Sequence, residues 1–95
     1  MASHERTRRF ERDWDGLAPE EHQQFAIAFL KFDEDLAMET LRAGLRVKRV
    51  QGTSEVFEMT WAPNGRATFQ YGEPEAGNPH VIWRRIGTHD VFRRP

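Results

Sequence analysis

Apolar and polar positions alternate in two different periods along this chain, and the change of period divides it near Gly44. Before that point Phe25, Phe29, Phe32 and Leu36 follow one another at spacings of four, three and four, with Ala28 beside them. That spacing predicts an amphipathic helix with one apolar stripe. Pro19 suits its first turn, and Glu20 and Glu21 suit the positive end of its dipole. Leu36, Met38 and Leu41 predict a further turn or a second short helix, with Gly44 as the stop. Upstream, Phe10, Arg12 and Trp14 would share one face of a short edge strand over Arg8 to Trp14, broken by Asp15-Gly16.

After Gly44 the period is two. Leu45, Val47 and Arg49 alternate with Arg46, Lys48 and Val50, and Gln51-Gly52-Thr53-Ser54 reads as a turn. In Val56–Trp61 the apolar Phe57, Met59 and Trp61 face one way and Val56, Glu58 and Thr60 the other. Ala62-Pro63-Asn64-Gly65 is a hairpin turn, since Asn and Gly tolerate positive φ. In the return strand Ala67, Phe69 and Tyr71 oppose Arg66, Thr68 and Gln70. A Gly- and Pro-rich loop leads to a further strand over His80–Ile86, ended by Gly87, and Val91 and Phe92 would anchor the tail. A helix stripe needs a sheet face to cover it. The order therefore predicts a two-layer α+β domain: an N-terminal strand and a helix or helical hairpin on a three- or four-stranded antiparallel sheet.

Composition narrows the function classes. The 95 residues suit a single domain. The absence of cysteine excludes disulfides and thiolate metal sites. No apolar run approaches the roughly 18 residues of a membrane span, and the N-terminus lacks an apolar signal core, so a cytoplasmic protein without membrane contact is expected. Net charge is −1, but it is unevenly placed: −5 up to Leu41 and +4 from Arg42 onward. A basic second half favours a surface that faces a polyanion, although two solvated faces would have the same charge.

Four groups are candidates for chemistry. Glu58 and Thr60 should share a sheet face with Arg66, Thr68 and Gln70; a solvated face with a cross-strand Glu58–Arg66 pair is the plainer alternative. Arg42, Arg46, Lys48 and Arg49 form one basic set, and Arg84, Arg85, Arg93 and Arg94 another. Arginine grips phosphate bidentately and lysine acts as a point charge, so both sets suit a nucleic-acid backbone. Trp61, Trp83 and Tyr71 would either stack bases or pack in the core. Histidine as a residue type titrates near neutral pH, which makes His89, just past a strand end, a candidate to move protons. His4 and His22 read as surface residues. His80 and His89 lie too far apart to suggest a metal site, and neither a P-loop nor a GxSxG motif is present.

Three segments together resemble the RelE/ParE family of bacterial toxins. Leu-Arg-Val-Lys-Arg-Val-Gln-Gly (Leu45–Gly52) is similar to the basic strand that opens the family's central sheet. Val-Phe-Glu-Met-Thr-Trp with Asn-Gly-Arg-Ala-Thr-Phe is similar to its central hairpin, where an arginine opens the return strand. His-Val-Ile-Trp-Arg-Arg-Ile-Gly-Thr-His-Asp-Val-Phe-Arg is similar to its last strand and tail. The resemblance implies a type II toxin paired with a cognate antitoxin, expected to carry a helix-turn-helix. RelE-like members enter the ribosomal A site and cut mRNA without a metal or other cofactor; ParE-like members inhibit DNA gyrase. Carried over by position, Arg66 would stabilise the phosphate, His89 would transfer a proton, and Glu58 would be the base. Lys48, Arg49, Arg46, Arg85 and Arg84 would contact RNA phosphates. The chain departs from the ribosome-directed pattern in three respects. It has Glu58 and Thr60 where RelE has cations, Phe92 in place of a tail tyrosine, and a near-zero net charge. A divergent HigB-like nuclease, a gyrase inhibitor and a non-toxic binding module of the same fold all fit these departures.

Overall fold

The structure, a computed structural model, describes residues 2–95. Strand β1 (Ser3–Arg6) leads into helix α1 (Arg8–Asp15) and then α2 (Pro19–Ala37). A 3-10 turn (Ala43–Leu45) precedes β2 (Lys48–Arg49), β3 (Phe57–Ala62), β4 (Gly65–Tyr71) and β5 (His80–Gly87), and a second 3-10 turn (His89–Arg93) follows. The five strands form one sheet in the order β1-β5-β4-β3-β2. The two-layer α+β arrangement is the expected one. The sheet is larger than expected, because β1 joins its far edge and pairs parallel to β5.

The segment Arg8–Trp14 is a helix, which corrects the expected edge strand; the N-terminal strand lies just before it. Phe10 and Trp14 are four apart, a spacing that puts them on one face of a helix as well as of a strand. The cap decides between them: the Thr7 hydroxyl accepts from the Phe10 N–H (3.1 Å) and donates to the Arg84 carbonyl (2.9 Å). One residue thus starts α1 and ties it to β5. In α2 the Glu21 carboxylate accepts from the Ala18 N–H (2.8 Å), satisfying a free donor at the helix start. The helix ends earlier than expected. Glu39, not Gly44, takes the left-handed conformation (φ 56°) after the last turn, and Met38 is left exposed. No second α-helix forms over Leu36–Leu41.

The core lies between α1, α2 and one sheet face, and Trp83 is its hub. Its ring lies 5.4 Å from Phe25, 5.4 Å from Phe32 and 5.2 Å from Phe69, all tilted or edge-on. Such geometry adds about 0.5–1.5 kcal/mol per pair beyond burial. The Trp83 indole N–H donates to His4 Nδ1 (3.1 Å), and His4 Nε2 meets Asp33 at 2.8 Å. Trp61 and Trp83 are both core residues; Tyr71 is the exposed one of the three aromatics.

Two irregularities shape the sheet. Between Thr68 and Phe69 the β4–β5 register shifts, because Thr68 pairs with Arg85 and Phe69 with Trp83. The extra residue is Arg84, a β-bulge that breaks the alternation of β5 and lets Trp83 and Ile86 both reach the core. The second shift, between Thr60 and Ala62, falls at Trp61. There the hairpin folds so tightly that a Cβ on Gly65 would stand 2.6 Å from the Trp61 ring.

Candidate functional site

The sheet register assembles a polar row across four strands. Lys48 pairs with Glu58, Glu58 with Thr68, and Thr68 with Arg85. At strand spacings of about 4.8 Å the row spans about 14 Å. The expected Glu58–Arg66 pair does not form, because the register sets Arg66 opposite Thr60.

At the β2 end of this row is a cleft of about 630 Å³, bordered by Lys48, Arg49, the Val50–Gly52 turn, Glu58, His89 and Phe92. Residues from three distant stretches of sequence therefore meet here. His89 arrives through the 3-10 turn after β5. The Thr88 carbonyl accepts from the Val91 N–H (3.1 Å), and Val91 is buried beside Gly87. The His89 ring is exposed and rests edge-on against Phe92, centroids 5.2 Å apart.

Glu58 is only 8% exposed, yet among the described residues its side chain makes neither a hydrogen bond nor an ion pair. Its carboxylate oxygens are not enclosed: among the described residues, the buried side-chain polar atom without a partner is Trp61 Nε1, in the core. The Glu58 oxygens are thus free to take a proton or a hydrogen bond from a bound molecule. Lys48 and Arg49, both exposed on the edge strand, supply positive charge at the same cleft.

The other arginines are differently placed. Arg66 folds back onto its own hairpin, donating to the carbonyls of Ala62, Pro63 and Gly65 at 3.3, 3.2 and 2.8 Å. Arg46 holds a left-handed conformation (φ 50°) after the first 3-10 turn and does not border the cleft. Arg85 is held by Asp13 of α1 through two bonds of 2.6 and 3.1 Å, and the Asp13 carboxylate raises its already high pKa. Arg84 donates to Gln70 Oε1 and to the Pro95 main-chain oxygen.

The remaining histidines are structural, which corrects the surface reading of His4 and His22. His4 bridges Trp83 and Asp33, and His22 stacks on Trp14 with ring centroids 4.0 Å apart. His80 bonds Ser3 Oγ (2.7 Å) and Glu5 Oε1 (2.6 Å), fastening β1 to β5. No group of three or more His, Asp or Glu side chains among the described residues is arranged to hold a metal. Nor is any described helix long and apolar enough to cross a membrane.

Sequence reasoning set Thr68 on the polar face without giving it a role, and it missed Asp13. Thr68 is fully buried, and its hydroxyl donates to the Pro95 main-chain oxygen (3.0 Å). Its position on the polar face of the hairpin was the available signal. Nothing in the local pattern marks Asp13, whose partner is 72 residues away.

No protein-family model and no curated protein matches the sequence. Solved structures do match. A chain of the E. coli DinJ–YafQ complex superposes with a TM-score of 0.70 at 15% identity, covering 96% of this chain and 97% of that one. The Helicobacter pylori protein HP0894 gives 0.66 at 16% identity over 95% and 97% of the two chains. A chain of the RelB–RelE antitoxin–toxin complex from Methanococcus jannaschii gives 0.62 at 12% identity over 93% of each. Coverage is near-complete in both directions, and the chain therefore has the fold of the RelE and YafQ chains.

Proposed function

We propose that this protein is the toxin of a type II toxin–antitoxin pair and cleaves mRNA on the ribosome without a metal. The observation that carries this reading is Glu58, a carboxylate with no donor within the chain, in one cleft with His89 and the cations Lys48 and Arg49. Cleavage of an RNA phosphodiester by its own 2′-hydroxyl requires those parts. Glu58 takes the 2′-hydroxyl proton as the 2′-oxygen bonds to phosphorus. His89, protonated, donates to the 5′-oxygen as the P–O5′ bond breaks. The products are a 2′,3′-cyclic phosphate and a 5′-hydroxyl. Lys48 and Arg49 offset the charge that builds on the phosphoryl oxygens. Arg66 joins them by leaving its turn carbonyls, since substrate phosphate is a stronger acceptor than a carbonyl. DinJ–YafQ and RelB–RelE were crystallised as complexes, which supports a cognate antitoxin as this chain's partner.

Induced expression tests the reading. Growth should arrest, and primer extension should find new 5′ ends within translated mRNAs. Glu58→Gln and His89→Ala should each abolish those ends, by about 10²–10⁴-fold in rate. Intact mRNA together with gyrase-linked DNA breaks would replace the nuclease reading with gyrase inhibition. Unaffected growth would point to a binding module.

A further inference from the structure

Four donors from three elements converge on two main-chain oxygens of the tail. Arg9 Nη2 of α1 (2.9 Å) and Arg85 Nη1 of β5 (3.2 Å) donate to the Arg94 oxygen. Thr68 Oγ1 of β4 (3.0 Å) and Arg84 Nε of β5 (3.0 Å) donate to the Pro95 oxygen. Three guanidinium groups, of which Arg85 is also paired with the Asp13 carboxylate, and a buried hydroxyl around two neighbouring oxygens make an anion site. The Arg94 carbonyl and a main-chain oxygen of Pro95, the last residue of the sequence, fill it, and a phosphate offers the same donors a charged acceptor. The site is also continuous with the cleft, for Thr68 is the cross-strand neighbour of Glu58.

We propose that Arg9, Thr68, Arg84 and Arg85 form a second phosphodiester subsite and that the tail oxygens of Arg94 and Pro95 occupy it in competition with RNA. This rests on the nuclease reading for the identity of the anion. The strand would run along the polar row, with one phosphate at Lys48 and Arg49 and another at Thr68 and Arg84. The tail is thus a built-in competitor, and RNA binding and tail release are one exchange. If the tail is open about a tenth of the time, it weakens apparent affinity about tenfold.

The experiment uses the full chain and a short 2′-O-methyl RNA, which has no nucleophilic hydroxyl and cannot be cleaved. Arg94 sits at φ −142°, which proline cannot adopt. Arg94→Pro therefore moves the tail off, whereas Arg94→Gln removes the same charge and keeps the backbone. Fluorescence anisotropy should show the Pro variant binding about tenfold tighter than the Gln variant. Adding Thr68→Val should take most of that gain away. In the unaltered chain, hydrogen exchange over Val91–Arg94 should quicken when the RNA is added; this readout does not depend on any variant folding. Equal affinity of the Pro and Gln variants, or a tail whose exchange slows or stays constant, overturns the proposal. Tail release without any mRNA cleavage would sink the nuclease reading and leave the subsite standing. Cleavage with an unmoved tail would do the reverse.

Discussion

The two faces of the sheet are built on opposite rules. On the face toward the helices, rings meet rings: Trp83 touches Phe25, Phe32 and Phe69, and the indole N–H of Trp83 is satisfied by His4. On the other face the Glu58 carboxylate has no donor within the chain, and arginines are bonded to the tail or to their own turn. The same strands make both, since β3 and β4 alternate. Ring packing is concentrated on one side, where the buried Trp61 Nε1 goes without a partner, and exchangeable polar groups lie on the other. That division lets the polar face hold exchangeable groups, because the packed face offsets their cost.

Substitutions can break this contrast. The largest effect on stability is expected from Trp83→Ala, which empties the hub and should cost about 3–5 kcal/mol, read as a fall in the denaturant midpoint. A loss below about 1 kcal/mol would mean that the covered face is not where the stability lies. Gly65→Ala should cost about 1–3 kcal/mol, because its Cβ would meet the Trp61 ring at 2.6 Å. Glu58→Gln should have the opposite sign. The carboxylate has no bond within the chain to lose, so the neutral isostere should raise stability only slightly, by less than about 1 kcal/mol. A destabilised Gln variant would mean that the carboxylate belongs to the stabilising side after all.

The smallest effect concerns pH. The Arg42 side chain bonds the Asp35 carboxylate at 2.7 Å and its main-chain N–H does so at 2.9 Å, which holds that carboxyl below its ordinary range. A lowered folded pKa means the contribution is complete above the unfolded value of about 4 and is lost as pH falls through the folded value. Asp35→Asn should therefore flatten the decline of melting temperature on the acid side and lower it slightly at neutral pH. An unchanged acid limb would show that the Arg42 contact adds nothing to folding.

The chain's own pattern was enough for much of this. The four-three-four spacing of Phe25, Phe29, Phe32 and Leu36 placed α2, and the period of two with Asn64-Gly65 placed the β3–β4 hairpin and its two faces. These features are local, and local periodicity carries them. The first helix was misread because two apolar residues four apart suit either period, and only the long-range bond from Thr7 to Arg84 settles it. The same limit applies to the cleft. The sequence by itself put Lys48, Arg49, Glu58 and His89 in view as residue types in suggestive places. Register and the Val91 anchor brought them to one cleft, while the Arg84 bulge, Asp13 and the tail drew Arg84 and Arg85 elsewhere. Those are contacts between distant segments, decided by which strands pair and what covers them, and no local pattern encodes them.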